Sequence, residues 1–279
     1  MSTPQERIEV FNDTIDWINS DPDLSASIPI AKNHTAVYFA DQYPHYISRD
    51  IQDTKVYVTG NRSFEAAMKL HKENPTAKIA VMNFANSITP GGGVKNGSNA
   101  QEEALCRIST LYPLLYRHYL EDNFYSYHRK KKSPRASDSL IYTSGVIICK
   151  SDEDHPKRLP KEEWVSVDVI TVAAPDLRDQ PNVHFDLIGG GTDMTDAEQF
   201  GYHVKRAIHI LTCAAAEGAD ILVLGAFGCG AFRNNPEVVA KAYKVALEVF
   251  PNVFSKVEFA VYRPASGSVN YDIFKKVLG

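Results

Sequence analysis

The sequence has no surplus of positive charge, no long apolar run and no paired cysteines, and each absence removes a class of function. Against 34 aspartates and glutamates stand 30 lysines and arginines in 279 residues, a formal net charge of −4. Proteins that grip nucleic acid along a broad face are usually basic, so direct binding of duplex nucleic acid is not expected. No apolar stretch approaches the ~18 residues that a membrane-spanning helix needs, so no membrane partner is expected. The N-terminal MSTPQERIEV is polar and lacks the apolar centre of a secretory signal. Cys106, Cys149, Cys213 and Cys229 form no CxxC pair, and no histidine pair stands at zinc-finger spacing. The chain therefore reads as a cytoplasmic protein with reduced thiols, no metal and no cofactor. The GxSxG and HExxH patterns are missing, as are internal repeats and low-complexity tracts.

What is present is an ordinary globular balance, 44% hydrophobic and 23% charged. A chain of this length buries a sizeable core without staples. Ile8, Phe11, Ile15 and Ile18 form one stripe of a helix over residues 5–20. Residues 21–50 carry few periodic signals, and residues 1–50 read as an N-terminal extension of a domain over 51–279. From Thr54 strands and helices alternate. Strands are expected at KVYVTG, at 78–84, at 140–150 as one or two pieces, at 165–174, at 221–224 and at 257–262. Helices are expected from a Ser63 cap to Lys72, then at 101–119, 196–217 and 236–249, with a short one at the end. A loop fills 175–195, with Pro175, Pro181, Gly189, Gly190 and Gly191. The basic run Arg129–Arg135 reads as a solvated loop, with contact to a polyanion or a nuclear address as the alternative. The pattern predicts a mixed α/β sheet flanked by helices, whose binding edge lies at the carboxyl ends of the strands.

Two constellations stand on that edge. The first is Asn83-Phe84-Ala85-Asn86-Ser87-Ile88-Thr89-Pro90-Gly91-Gly92-Gly93, followed seven residues later by Gln101-Glu102-Glu103. Consecutive glycines let a ligand approach the backbone, and exposed N–H groups suit anions or sugar hydroxyls. Asparagine side chains both donate and accept, as a polyhydroxyl ligand requires. Paired carboxylates beside a sugar site point to glycosidic chemistry, where a proton must reach the leaving oxygen. A glutamate raised by burial and by a neighbouring negative charge can carry that proton, whereas a helix N-terminus favours the ionised form. The second constellation is Gly225-Ala226-Phe227-Gly228-Cys229-Gly230-Ala231-Phe232. Its small residues let successive N–H groups converge on a phosphate, and its aromatics pack against a ribose or lie in the core. No Gly-Lys-Ser/Thr follows, and GxGxxG is absent.

NFANSITPGGG, seven residues and QEE together resemble the signature of the microbial-type poly(ADP-ribose) glycohydrolases, and GAFGCGAF resembles that family's diphosphate-binding loop. The resemblance covers roughly residues 50–279, with the first 50 as the family's accessory segment. It implies a macrodomain-like mixed sheet flanked by helices with an N-terminal helical extension. It also implies a hydrolase that cleaves the ribose–ribose bond of poly(ADP-ribose) and releases ADP-ribose. Glu103 would be the general acid and then the base, and Glu102 would orient the ribose hydroxyls. Asn86, Gly91, Gly92 and Gly93 would hold the terminal ribose and the distal diphosphate, with Gln101 beside them. Gly228, Cys229, Gly230 and Ala231 would bind the diphosphate through backbone N–H groups. Phe232, or Phe227, would pack on the ribose at the scissile bond, Phe232 being the stronger choice. A mono-ADP-ribosylhydrolase and a non-catalytic ADP-ribose-binding macrodomain are the alternatives. The partners implied are poly(ADP-ribose) or ADP-ribosylated macromolecules. The sequence lacks the GDIT-type motif of ordinary macrodomains, which leaves the adenine contact unassigned.

Overall fold

The computed structural model describes residues 2–47, 53–179 and 194–279. Pro181, Gly189, Gly190 and Gly191 of the expected 175–195 loop lie outside the described residues. Helix α1 (Pro4–Ser20) starts where the sequence places it, because Thr3 and Glu6 close a capping box and Pro4 occupies the first turn. It buries Phe11, Thr14 and Ile18. Two further elements lie in the stretch with few periodic signals: α2 (Pro22–Asn33) and β1 (Thr35–Tyr38). Asp21 caps α2 by accepting from the N–H groups of Asp23 and Leu24, while Pro29 inside the helix obscures its period.

Next come β2 (Lys55–Thr59), α3 (Ser63–Glu73) and β3 (Ile79–Phe84). Ser63 is not the cap of α3: the cap position is Arg62, and the first-turn N–H groups of Phe64 and Glu65 donate to Asp152 Oδ2 at 3.1 and 3.2 Å. The helix expected over 101–119 is broken into α4 (Gln101–Arg107) and α5 (Leu111–Leu115). Between them Ser109 bridges to Ile148, and the Thr110 N–H donates to the Ile147 carbonyl at 3.0 Å, so a sheet edge takes the backbone. A short α6 (His118–Leu120) passes through a π-helical turn (Glu121–Tyr125) into α7 (Ser126–Lys131). The basic run thus begins in a helix rather than a loop. The remaining elements are β4 (Leu140–Ile148), β5 (Val165–Val172), α8 (Asp196–Ala216), β6 (Ile221–Leu224), α9 (Pro236–Glu248), β7 (Lys256–Ala260) and α10 (Val269–Leu278). β4 is a single strand whose register shifts between Thr143 and Val146, where Gly145 takes φ 76°.

The seven strands form one mixed sheet in the order β1-β4-β5-β3-β6-β7-β2. The five strands from β5 to β2 run parallel, and β4 and β1 are antiparallel additions at one side. The central strands are buried on both faces, so they read as unbroken apolar runs. Alternate residues of β3 split between two cores. Ile79 and Val81 join Phe64, Leu70, Leu105, Leu111 and Phe11 on one face. Ala80 and Met82 join residues of α8, α9 and α10 on the other. Among the described residues no helix is long and apolar enough to cross a membrane.

Candidate active site

Strands β3 and β6 are parallel neighbours, so the loops that follow them open on the same carboxyl edge. The loop after β3 is tied to itself and to α4. Asn86 Oδ1 accepts from the N–H groups of Ile88 (2.9 Å) and Thr89 (3.0 Å). The Asn86 N–H donates to Glu102 Oε2 at 2.7 Å, and the Gly93 N–H donates to Glu103 Oε1 at 2.9 Å. Gly92 takes φ 56°, and a Cβ there would stand 2.5 Å from Glu103 Oε1 and 3.2 Å from Glu102 Oε2. Glycine is required at Gly92 both for its conformation and because two carboxylates press against the backbone.

Both carboxylates belong to the first turn of α4 and are removed from water: Glu102 is 2% and Glu103 7% exposed. Their surroundings differ. Each oxygen of Glu102 has a protein donor, Oε1 from Asn83 Nδ2 at 3.2 Å and Oε2 from the Asn86 backbone. Glu103 Oε2 is buried with no hydrogen-bond partner among the described residues. A buried, unpaired carboxylate oxygen is costly, so a ligand group is its expected partner. Burial pushes the Glu102 carboxyl up to about 8, and the Glu103 charge adds to this against the Asn86, Asn83 and Gly91 donors. Burial, not the helix N-terminus, decides the protonation of Glu102. Glu102 therefore keeps its proton at neutrality.

Gln101 is committed to the protein. Its Oε1 accepts from the Phe84 N–H at 2.8 Å, and its Nε2 donates to Ser63 Oγ at 3.0 Å and to the Met82 carbonyl at 2.7 Å. Both amide hydrogens are used within the protein. It fixes the start of α4 against the end of β3.

The loop after β6 is built differently. Gly228 takes φ 74°, and a Cβ there would meet Ala174 Cβ and Asn234 Nδ2, each at 2.6 Å. Gly230 has nothing within 4 Å of a Cβ position, and Gly230 and Ala231 are exposed. The N–H groups of Gly228, Gly230, Ala231 and Phe232 donate to no acceptor among the described residues. A run of free backbone donors of this kind suits an anion. The Cys229 N–H, by contrast, donates to the Ala226 carbonyl at 3.1 Å, so this residue leaves the expected donor set. Burial also pushes the Cys229 thiol up, away from thiolate chemistry. Phe227 is 1% exposed and packs on Phe84 and His203 at 5.7 and 5.9 Å between ring centroids. Its ring faces the core, one of the two places the sequence offered for it. Phe232 is half-buried, with the Arg178 guanidinium 5.3 Å from its ring centre.

Several residues essential to this geometry carried no local sequence signal. Asn234 Nδ2 faces the carbonyls of Pro175 (2.7 Å), Gly228 (3.1 Å) and Phe232 (3.3 Å), locking the second loop to the segment after β5. Asn234 Oδ1 is 2.9 Å from His203 Nε2. Burial pushes His203 down to about 4, so the neutral ring donates from Nε2. Arg129 Nη1 donates to the Ile88 carbonyl, bracing the first loop from α7. From α1, Arg7 Nε donates to the Gly97 carbonyl at 2.6 Å. Among the described residues no group of three or more metal-ligating side chains occurs.

A sequence profile of the family described as microbial-type PARG, catalytic domain, matches residues 13–151. Among solved structures, the chain is similar to poly(ADP-ribose) glycohydrolase from Thermomonospora curvata, with 27% identity over 98% of this chain and 99% of that one and a TM-score of 0.81. The same enzyme bound to the inhibitor ADP-HPD is similar at 28% identity over 98% and 99%, TM-score 0.80. Poly(ADP-ribose) glycohydrolase from Deinococcus radiodurans in complex with ADP-ribose is similar at 30% identity over 89% of this chain and 95% of that chain, TM-score 0.74. No curated protein matches. With the paired carboxylates and the free-donor loop in place on this sheet edge, the chain belongs to the microbial-type poly(ADP-ribose) glycohydrolase family.

Proposed function

We propose that this chain is a glycosidase that hydrolyses the ribose–ribose bond of poly(ADP-ribose) and releases ADP-ribose, with Glu103 as the general acid. The observation that carries the reading is Glu103 Oε2, buried and unpaired on a carboxylate whose Oε1 lies against Gly92. Cleavage at the anomeric carbon passes through an oxocarbenium-like state, and a proton delivered to the leaving oxygen lowers its cost. Glu103 Oε1, anchored on the Gly93 N–H, fixes the carboxyl, and Oε2 transfers the proton and then takes one from water. Glu102 keeps its protein donors and offers its remaining lone pairs to ribose hydroxyls. Asn86, Gly91, Gly92 and Gly93 line the ribose, the free N–H groups of Gly228, Gly230 and Ala231 hold the diphosphate, and Phe232 packs on the ribose at the scissile bond.

The same reading takes the fold as a macrodomain, with residues 1–50 as an accessory extension of a catalytic domain over 51–279. The contacts of Arg7 with Gly97 and of Thr14 with the Arg107 carbonyl support an extension that braces the site. A cytoplasmic location is supported by four free thiols. The test is incubation of the purified protein with poly(ADP-ribose), with and without excess EDTA, and identification of products by mass. Free ADP-ribose in both conditions is the expected result. Tight ADP-ribose binding without release would make the chain a reader or an enzyme of mono-modified targets.

A further inference from the structure

The basic run has so far supplied only the Arg129 brace. Its inner side is fixed on both flanks. His128 is 3% exposed; its Nδ1–H donates to the Phe124 carbonyl at 2.8 Å, and its Nε2 accepts from the Ser137 hydroxyl (2.8 Å) and the Ser137 N–H (3.1 Å). Arg129 reaches the Ile88 carbonyl of the first glycine loop and pairs with Glu121. Beyond the helix, the Pro134 carbonyl accepts from the Asp176 N–H at 2.7 Å, and the Arg135 carbonyl accepts from Arg206 Nη2 at 3.2 Å. The segment therefore runs along the carboxyl edge, from the loop after β3 to the loop after β5.

That pinning leaves three side chains of α7 facing outward. Tyr127 is 45% exposed, and Lys130 and Lys131 are exposed. Lys131 Nζ lies 3.1 Å from the Tyr127 hydroxyl and 5.4 Å from its ring centre. Lys130 has no ion-pair partner among the described residues. Cations beside an open aromatic face match an ADP-ribose unit, whose pyrophosphate attracts the ammonium groups and whose adenine stacks on the ring. Resting on the hydrolase reading above, we propose that Tyr127, Lys130 and Lys131 form a docking platform for the ADP-ribose units upstream of the scissile bond. The chain as a whole carries a net −4 charge, so this local cationic face beside the site is not a general surface property. A polymer bearing pyrophosphate in every unit is the polyanion that must pass it, and short or single-unit substrates gain nothing from it.

The platform is tested by comparing the shortest cleavable oligomer with long poly(ADP-ribose) chains, using wild type, Lys130→Glu/Lys131→Glu and Tyr127→Ala. For long chains KM should rise at least ~5-fold in the charge-reversed protein, and the slope of log kcat/KM against log salt should flatten by about 1.4 for two lost phosphate contacts. The shortest oligomer should be cleaved within about twofold of the wild-type rate, and Lys130→Arg/Lys131→Arg should behave as wild type. An unchanged long-chain KM overturns the platform. So does an equal loss on the shortest oligomer, which would make α7 part of the site's frame. Polymer binding by Glu103→Gln protein, with and without the charge reversal, is measured separately. If wild type releases no ADP-ribose, the hydrolase reading falls, while a charge-dependent loss of polymer binding still upholds the platform. A matching loss of affinity for single-stranded RNA, with none for the polymer, assigns the face to nucleic acid and overturns the proposal.

Discussion

The loop after β3 and the loop after β6 leave adjacent parallel strands, yet glycine serves them differently. At Gly92 the space a side chain would take is filled by Glu103 and Glu102 of the protein itself. At Gly230 that space is empty, and the neighbouring N–H groups have no acceptor among the described residues. One loop is closed onto the protein's own acidic groups; the other leaves its donors free, as the proposed diphosphate contact needs. The division of labour follows from what each loop is tied to. Glu102, Glu103 and Arg129 tie the first. Asn234, through three carbonyls, ties the second.

The sharpest way to break this comparison is to remove the proton and leave the shape. Glu103→Gln keeps the side chain's size, so kcat should fall by at least ~10²-fold while ADP-ribose affinity stays within a few-fold. Near-normal turnover would take Glu103 out of the acid role, whereas Glu102→Gln should raise KM more than it lowers kcat. Closing the first loop comes next. Gly92→Ala asks φ 56° of a residue with a Cβ and drives that Cβ into Glu103 Oε1. A displacement of about 1 Å in a catalytic group costs on the order of 10²-fold, so single-turnover rates should drop by ~10- to 100-fold. Gly230→Ala, with open space around it, is the control, and a comparable loss there would erase the distinction between the loops.

The sheet and both loops were legible because their signals are local. Strands buried on both faces are unbroken apolar runs, and the glycines follow them directly in the chain. What the sequence hid is held by distant partners. The helix expected over 101–119 breaks at Ser109 and Thr110 because β4 takes their backbone, and the one local sign is Pro113, which a helix tolerates only in its first turn. Pro29 masks α2, although Asp21-Pro22 is a sound start signal. Asn234 and Arg129 resemble ordinary surface residues until folding sets them against carbonyls of the loops. The internal bonds of Gln101 and the core packing of Phe227 were hidden for the same reason: a motif fixes where a residue stands in the chain, whereas its neighbours from other strands decide whether its polar atoms or ring remain free.

Asn234 gives a smaller effect than either carboxylate change. Asn234→Ala removes the amide that faces three loop carbonyls and leaves His203 Nε2–H without its acceptor. The free donors of Gly230 and Ala231 lose their fixed spacing, so the inhibition constant for ADP-ribose should weaken by about 10-fold with kcat changed less, given roughly 1–3 kcal/mol for a buried unpaired group. Calorimetric titration with ADP-ribose checks it, and unaltered affinity would mean that the second loop keeps its form without Asn234.

The least perturbing probe is pH. Burial holds the Glu102 carboxyl at about 8 against an ordinary 4.5, so the folded protein retains a proton that the unfolded chain has released. Between those two values the native state binds more protons than the unfolded state, and stability must fall as pH rises. The contribution is complete below about 4.5 and is lost once pH passes about 8. Glu102→Gln cannot titrate, so its own cost is constant across the range. The stability gap between wild type and Glu102→Gln, from urea unfolding, should therefore shrink by ~1 kcal/mol or more from pH 5 to pH 8. A gap that stays constant would mean that the Asn86 and Asn83 donors outweigh burial. Glu102 would then be ionised at neutrality.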